Sequence, residues 1–276
     1  MPLDLTIVIP IKNEAVHLPH CLEAIGNGWA EEVIVIDSSS EDESVLIANN
    51  YGAKVIPFSW NGQYPKKRNW FLLRHTPVTK WVLFLDADEF VTPAFKKEVE
   101  EKLSANLPYS GYWLSYTNYF MGKKLKGGYP LDKLALFQTA KGLYDHIPDN
   151  NWSNLDMEIH EHPIIEGSVG KIKSKIDHND FRGIQHYMGK HHAYADWEAQ
   201  RYISTVKNST NRDHWTLKQR IKYKIIASPF AGIFFFLGSF IFLGGFRDGY
   251  RGLIFATLKM SYFTQVYCRI RELRNR

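Results

Sequence analysis

The chain has 276 residues, of which 45% are hydrophobic and 14% aromatic, and a formal net charge of +5. This composition excludes a wholly disordered chain, and the length suffices for one large domain or two smaller ones. The basic balance favours anionic partners such as a sugar nucleotide, a lipid diphosphate or an acidic membrane surface. The sequence carries no recognisable nucleic-acid-binding motif, so we expect no nucleic acid as a partner.

The two cysteines, Cys21 and Cys268, form no C-x-x-C pair. This argues against a disulfide framework or a structural zinc site and fits a reducing compartment. The chain opens with MPLD and passes directly into an apolar run, without the basic start or cleavage site of a signal peptide. We therefore expect cytoplasmic exposure.

Apolar runs and helix-like spacings alternate over the first hundred residues. The runs typical of buried strands are LTIVIPI (5–11), EEVIVIDSSS (31–40), AKVIPF (53–58) and KWVLFLD (80–86). Segments 14–25, 41–52 and 64–74 between them have the spacing of short helices. This alternation predicts an α/β fold with a mostly parallel central sheet and right-handed crossovers.

Polar side chains follow three of these predicted strands. They are Asn13 and Glu14, then residues 37–40, then residues 86–89. Any one of these groups alone could be a solvated turn or a helix cap. Because ligands bind outside the carboxyl ends of parallel strands, the three groups together predict a ligand site at one edge of the sheet.

The stretch WVLFLDADEF (81–90) ends a buried strand in a cluster of acidic residues. Crowded carboxylates repel one another and resist desolvation, so a positive charge is expected beside them. An Asp-x-Asp pair at a strand end suits a hard divalent cation that shares its ligands with substrate phosphates. No P-loop motif is present, and no G-x-G-x-x-G motif follows the first strand. The missing charge is therefore interpreted as a metal ion that carries a nucleotide diphosphate.

The segments TIVIPIKNE, EEVIVIDSSSED, KKRNW and WVLFLDADEFV, in this order, resemble family 2 glycosyltransferases of GT-A fold. The resemblance is strongest to bacterial lipopolysaccharide-core and capsule-type enzymes, and it extends more weakly through LDKLALFQ, IHEHP and KIDHNDF to about residue 200. It implies an inverting, Mn²⁺- or Mg²⁺-dependent transfer of sugar. The implied donor is a nucleotide-diphosphate sugar, with a UDP-sugar favoured, and the implied acceptor is lipid-linked or a glycan.

The resemblance also implies roles for individual residues. The nucleotide-sugar would contact Pro10, Asn13, Glu14, Asp37, Ser39, Arg68, Asn69, Asp86 and Ala87. The metal would be held mainly by Asp88, with Asp86 and His178 as further ligands. Glu161 of IHEHP is the candidate catalytic base, and Asp156 is the next choice. In LDKLALFQ the chain departs from the Arg-Leu-Phe that the family often has, which puts one phosphate or acceptor contact in doubt.

The chain is predicted to divide into a GT-A domain over residues 1–200 and a helical region over 201–276. Within the first, residues 1–106 would bind the donor and residues 107–200 would face the acceptor. Residues 225–246 carry no charge, and basic residues flank them on both sides. A buried pair of core helices is one interpretation. Association with the cytoplasmic face of the inner membrane is favoured, with in-plane or re-entrant insertion ahead of a full span, for which the segment is long enough.

Two other functions remain open at this point. A catalytically silent, membrane-associated sugar-binding protein would have no chemical reason to keep the costly DAD cluster at residues 86–88. A sugar nucleotidyltransferase would use similar strand-end residues, and release of pyrophosphate would distinguish it.

Overall fold

The computed structural model describes residues 1–105, 107–146, 156, 163–207 and 217–275. Its strands are β1 Leu3–Ile11, β2 Ala30–Asp37, β3 Lys54–Pro57, β4 Trp81–Phe84, β5 Glu89–Phe90, β6 Tyr109–Phe120, β7 Lys123–Lys124, β8 Asp132–Gln138, β9 Gly142–Tyr144, β10 Pro163–Ile165 and β11 Ser168–His178. Its α-helices are α1 Leu18–Ile25, α2 Ser44–Asn50, α3 Lys67–Arg74, α4 Pro93–Ser104, α5 Ile184–Lys207, α6 Leu217–Ile226, α7 Ala231–Leu237 and α8 Tyr250–Arg274.

The chain folds as two compact units. The first, here called the sheet unit, comprises Met1–Asn118 and Leu131–Asp180. The second, here called the helical unit, comprises Tyr119–Pro130 and Phe181–Arg276. The division therefore follows Asp180, and a short segment from the middle of the chain belongs with the C-terminal helices.

The sheet unit is built on one mixed sheet with the strand order β3-β2-β1-β4-β8-β6-β11-β5. Strands β3, β2, β1 and β4 pair in parallel, as the alternating sequence pattern predicts. Strand β8 pairs antiparallel with β4 and β6, and β11 runs parallel to β6. The sheet is thus less parallel than expected. The reason is local, because β6 and β8 are joined without a crossover helix, and a short connection can join only antiparallel strands.

Strand β1 lies at the centre of the parallel half, and its residues 5–11 are all buried. Strand β1 has a neighbour on each edge and is covered on both faces of the sheet, which is why the run is apolar on both faces instead of alternating, with Thr6 as its one polar residue. In the register of the ladder, Ile11 at the end of β1 lies opposite Asp37 at the end of β2. The carboxyl ends of β1, β2 and β4 therefore meet at one edge.

Helix α3 packs beneath this edge through Phe71, which is fully buried. The Phe71 ring meets the ring of Phe84 on β4 edge-to-face, with centroids 6.3 Å apart. Arg68 lies three residues before Phe71 on the same helix, so the docking of α3 fixes where its guanidinium can reach.

The helical unit has its own apolar core between α5 and α8. Its buried members include Ala195, Ala199, Tyr202, Val266 and Ile270. The uncharged segment 225–246 forms the end of α6, all of α7, a π-helical turn at Gly238–Phe242 and the start of a 3₁₀ turn at Gly245–Asp248. Among the helices in the described part of the chain, none is both long and apolar enough to cross a bilayer.

Substitution of Phe71 by alanine should destabilise the sheet unit by about 3–5 kcal/mol, because it leaves a cavity between α3 and β4. Urea denaturation of the full chain would measure the loss. Val78→Ala, at a side chain that is 97% exposed, is the matched control and should change stability by less than about 0.5 kcal/mol. Equal denaturation midpoints for the two variants would contradict this packing.

Candidate active site

The acidic turn after β4 is folded back on itself. The amide of Glu89 donates to the carbonyl of Asp86 at 3.0 Å, and the amide of Asp86 donates to Oε2 of Glu89 at 3.1 Å. Glu89 is only 1% exposed. The turn therefore carries the carboxylates of Asp86 and Glu89 into one partly buried space.

Two side-chain cations neutralise this space. Arg68 Nη2 lies 2.8 Å from Asp86 Oδ1, and Lys133 Nζ lies 2.6 Å from Asp86 Oδ2. Lys133 also donates to Glu89 Oε1. The sequence predicts a positive charge beside the acidic residues. At Asp86 and Glu89, that charge comes from the side chains of Arg68 and Lys133. Sequence reasoning missed Lys133, although it is the one cation in the apolar run of β8.

The electrostatics of the cluster are strongly asymmetric. Burial alone would raise the pKa of Asp86, but Lys133 and Arg68 outweigh it and hold that pKa well below its ordinary value. Burial raises the pKa of Glu89, and Lys133 only partly offsets this. Burial opposes the charge of Lys133, yet Asp86 and Glu89 together raise its pKa well above the usual range. Lys133 therefore stays charged across the physiological range.

Asp88 and His178 meet because β5 pairs with the end of β11. His178 lies opposite Glu89 in the ladder, and the amide of Asn179 donates to the carbonyl of Asp88 at 2.9 Å. As a result, His178 Nε2 lies 3.5 Å from Asp88 Oδ2. Nδ1 of the same ring lies 3.3 Å from Oδ1 of Asn118.

This pair has the chemistry of a two-ligand metal site. If Nδ1 of His178 donates its proton to Asn118, then Nε2 presents a lone pair toward the carboxylate of Asp88. The separation of 3.5 Å is long for a hydrogen bond and close to the spacing of about 3 Å between neighbouring ligands of an octahedral ion. Among the residues described, no three His, Cys, Asp or Glu side chains converge on a metal position. Asp88 and His178 thus fit a divalent ion, whose remaining ligands would have to come from phosphate and water.

The loops after β1 and β2 are bonded to each other. The amide of Asn13 donates to Ser40 Oγ at 2.8 Å, and the amide of Glu41 donates to Asn13 Oδ1 at 2.8 Å. Asn13 and Ser39 both have positive φ angles, 56° and 57°. These two loops therefore form one tightly folded rim beside the acidic turn.

The remaining predicted donor contacts of this rim have defined positions. Asp37 is buried and accepts from the Ser40 amide at 3.1 Å. Oε2 of Glu14 lies 2.9 Å from Nδ1 of the buried His17, within hydrogen-bond distance. Pro10 lies within β1 opposite Ile36 of β2. The structure thus brings the predicted residues of β1 and β2 together at one edge.

The three polar residues at the start of helix α3, Lys67, Arg68 and Asn69, have different partners. The side-chain amide of Asn69 is buried and bonds both the amide and the carbonyl of Tyr144, each at 2.9 Å. Lys67 Nζ lies 3.2 Å from the carbonyl of Ile11 and 3.2 Å from Asp156 Oδ2. Asn69 therefore fastens β9 to α3, and its contact with a nucleotide stays a prediction.

The same oxygen of Asp156 has a second partner, because Ser38 Oγ donates to its Oδ2 at 2.5 Å. Burial would raise the pKa of Asp156, but Lys67 and Ser38 lower it below its ordinary value.

Two predicted site residues remain. Ala87 is buried within the acidic turn. Glu161, the predicted base, lies outside the described residues together with His160 and His162.

Lys133→Met should destabilise the fold by about 3 kcal/mol, because it leaves Glu89 and one oxygen of Asp86 buried without their cation. The depressed pKa of Asp86 adds stability above the ordinary Asp pKa of about 3.9, and that stability is lost as the pH falls. Without Lys133 the pKa values of both carboxyls rise, so the variant should lose most stability near neutral pH and least near pH 4.

Denaturation midpoints measured across this pH range would test the expectation. Lys171→Met is the matched control, because Lys171 pairs with Asp132 at 3.5 Å on an exposed surface. It should cost less than about 1 kcal/mol at any pH. A Lys133 variant whose loss is the same at both ends of the pH range would count against the charge network.

Several known proteins are similar to this chain. An uncharacterized glycosyltransferase of Rickettsia felis is 37% identical over 89 residues, which are 32% of this chain and 30% of that protein. An uncharacterized glycosyltransferase of Rickettsia prowazekii is 24% identical over 203 residues, or 72% of this chain and 68% of that protein. The Rickettsia felis and Rickettsia bellii relatives are thus matched over less than a third of their length.

Among solved structures, glucosyl-3-phosphoglycerate synthase from Mycobacterium tuberculosis in complex with Mn²⁺, UDP-glucose and phosphoglyceric acid is 21% identical. The similarity has a TM-score of 0.32 and covers 43% of this chain and 44% of that chain. The model of glycosyl transferase family 2 matches residues 6–154, more than half of the chain and the part that contains the acidic turn. This chain therefore belongs to glycosyl transferase family 2.

Proposed function

We propose that this glycosyltransferase moves a sugar, with inversion, from a nucleotide-diphosphate sugar to a lipid-linked or glycan acceptor of bacterial surface polysaccharide or lipopolysaccharide. A UDP-sugar is the favoured donor. The observation that carries the proposal is the Asp88–His178 pair, which stands beside Arg68 and Lys133 at the carboxyl edge of the sheet. Carboxylate, imidazole and fixed cations in one place are what a metal-bound diphosphate requires.

The donor is proposed to bind along this edge. The rim formed by the loops after β1 and β2 would receive the base and ribose, with Asp37 as a buried acceptor. Arg68 is oriented toward the turn by its bond to Asp86 Oδ1 at 2.8 Å. A planar guanidinium there suits an oxygen of the diphosphate. Arg68 would thus be a fixed hydrogen-bond donor to the diphosphate, and the metal ion would supply the net positive charge, because Asp86 and Glu89 already balance the two cations.

Asp88 and His178 would hold a Mn²⁺ or Mg²⁺ ion, which when bound would neutralise charge on the leaving diphosphate. Asp86, predicted as a further ligand, has its two oxygens bonded to Arg68 and Lys133. The neighbouring side chains keep the Asp88–His178 pair in place. Asn118 orients the imidazole through Nδ1, and the ladder between β5 and β11 fixes the backbone on both sides. Such outer partners commonly set how tightly a ligand pair binds its ion.

In the proposed transfer, the acceptor hydroxyl oxygen attacks the anomeric carbon from the face opposite the diphosphate. A new carbon–oxygen bond forms, the bond from the anomeric carbon to the diphosphate oxygen breaks, and a base takes the hydroxyl proton. Glu161 is proposed as that base. Asp156 is less suitable, since its carboxylate is paired with Lys67 and its pKa is lowered, which weakens it as a proton acceptor.

The enzyme is proposed to work at the cytoplasmic face of the inner membrane. A lipid-linked acceptor stays with the bilayer, so the transferase must come to it. Support comes from the helical unit, where Phe242 is 82% exposed and Phe230, Phe234 and Phe246 are each more than half exposed. Large apolar side chains exposed in such numbers are typical of an interaction surface.

Asp88→Asn should fold and lose its turnover by at least about a hundredfold, more than the loss usual for removal of a residue that only supports a metal ligand. Calorimetric titration of UDP, with and without Mn²⁺, should show manganese-enhanced binding by the wild type and little enhancement in the variant. Asp196→Asn, on α5 and paired with Arg269, is the control and should leave both readouts unchanged.

If the wild type binds no nucleoside diphosphate under either condition, the donor proposal is wrong. Release of pyrophosphate in place of a nucleoside diphosphate would identify a nucleotidyltransferase. If a nucleoside diphosphate binds, a screen of nucleotide sugars by thermal shift would identify the donor, since a ligand that binds the folded state raises its melting temperature.

Glu161→Gln keeps the side-chain shape and removes the base. UDP affinity should therefore persist while sugar transfer falls by about 10²–10⁴-fold, the range that general base catalysis contributes. Titration and a transfer assay on the same preparation would separate the two effects. Transfer at nearly the wild-type rate would assign the base to another acid, with Asp156→Asn as the next variant to measure.

A further inference from the structure

The helical unit exposes an unusual amount of apolar surface in one short segment, residues 230–246, here called the apolar hairpin. Its exposed side chains include Phe230, Ile233, Phe234, Ile241, Phe242 and Phe246. Side chains of this kind are normally buried, and a cluster of them marks a contact surface. Single exposed apolar residues would need no such explanation.

A strongly basic loop is fastened directly to this hairpin. Residues 121–128 read MGKKLKGG, here called the lysine loop, and Lys123, Lys124 and Lys126 are all exposed. Asp248, just after the hairpin, accepts from the amides of Lys126 at 2.8 Å and Gly127 at 3.0 Å. The three lysines therefore have a fixed place beside the hairpin.

Two further contacts close the gap between loop and hairpin. The amide of Gly128 donates to the carbonyl of Leu243 at 2.9 Å. At Gly127 the backbones approach so closely that a Cβ atom would lie 2.2 Å from the carbonyl oxygen of Gly244. Only glycine allows this approach. The apolar hairpin and the lysine loop thus form one continuous surface.

An apolar groove of about 380 Å³ adjoins the hairpin and shares its side chains. Its lining includes Tyr129 and Pro130, which follow the lysine loop, and Phe234 and Leu243 of the hairpin. The groove therefore continues the apolar face toward the basic loop.

We infer that the apolar hairpin and the lysine loop together form the surface through which this protein binds an anionic phospholipid bilayer. The inference rests on the proposed membrane location and names the residues that make the contact. The hairpin lies in the plane of the interface. Helix α7 and the π-helical turn that continues it run from Ala231 to Phe242, at most about 18 Å, which is still short of a hydrocarbon core of about 30 Å.

The chemistry favours a lipid surface over a second copy of the chain. Stable attachment of an interfacial element to a membrane takes two signals, an apolar insertion and an attraction to anionic headgroups, and the two stand side by side here. A two-fold dimer through the same surface would bring the lysines of both copies together. Like charges at an interface oppose association.

Flotation of the full chain with vesicles, without detergent, would test the inference. Vesicles of phosphatidylcholine alone would be compared with vesicles that also contain phosphatidylglycerol, at low and at high salt. We expect the wild type to float with the anionic vesicles at low salt and to float much less with the neutral ones.

Two variants separate the two signals. K123Q/K124Q/K126Q should weaken binding to anionic vesicles by about fivefold for each lysine, on the order of a hundredfold in all. F242S/F246S should weaken it by at least about tenfold and should do so at any salt concentration, because the loss is apolar. The charge-matched control K54Q/K80Q/K97Q lies on exposed positions of the sheet unit and should bind as the wild type does.

The inference is overturned if the wild type stays in the soluble fraction with anionic vesicles. It is also overturned if the control lowers binding as much as the lysine-loop variant, or if the chain is a dimer that only F242S/F246S dissociates. UDP titration of each variant in the absence of vesicles keeps this question separate from the proposed function. Donor binding should be unchanged in all of them, whether or not they bind lipid.

Discussion

The candidate site depends on one arrangement of charge, the neutralisation of the acidic turn after β4 by Arg68 and Lys133. Two carboxylates in a space where Glu89 is almost wholly buried would repel each other and resist folding without a counter-charge. The two cations belong to different elements, Arg68 to α3 and Lys133 to β8. The packing of α3 against β4 and the antiparallel pairing of β8 with β4 are therefore both required before the turn can adopt its form.

The same turn divides its acids between two tasks. Asp86 and Glu89 are held by the protein's own cations, whereas Asp88 Oδ2 lies 3.5 Å from Nε2 of His178. The turn itself produces this division: Asp86 and Asp88 would share a face on an extended strand, and the bend closed by the Glu89 amide and the Asp86 carbonyl gives their carboxylates different partners. In the sequence these residues form a single acidic cluster. In the structure, Asp86 and Glu89 belong to an ion network, and Asp88 pairs with His178 as a candidate metal site.

Much of this arrangement could be predicted from the sequence, and the reason differs from part to part. The first four strands and the meeting of their polar ends follow from local patterns, because each buried strand is a continuous apolar run that ends in polar residues. The role of Lys133 could not be read in this way. Its partners lie more than 40 positions earlier, and only the non-local pairing of β8 with β4 brings them together. The C-terminal segment was recognisable by its lack of charge, whereas its division into several short helices depends on its glycines and on packing against α8.

The pairing of β5 with β11 limits where relatives of this protein can gain or lose residues. Strand β5 has only two residues, so the position of His178 depends on the register of a very short ladder. Because side chains alternate along a strand, one inserted residue near the end of β11 would turn His178 to the other face of the sheet. The irregularity already present in β11 lies between Lys171 and Lys175, upstream of that ladder. Insertions and deletions in relatives should therefore accumulate in the first half of β11 and be absent from its last four residues, whatever sugar or acceptor each relative uses.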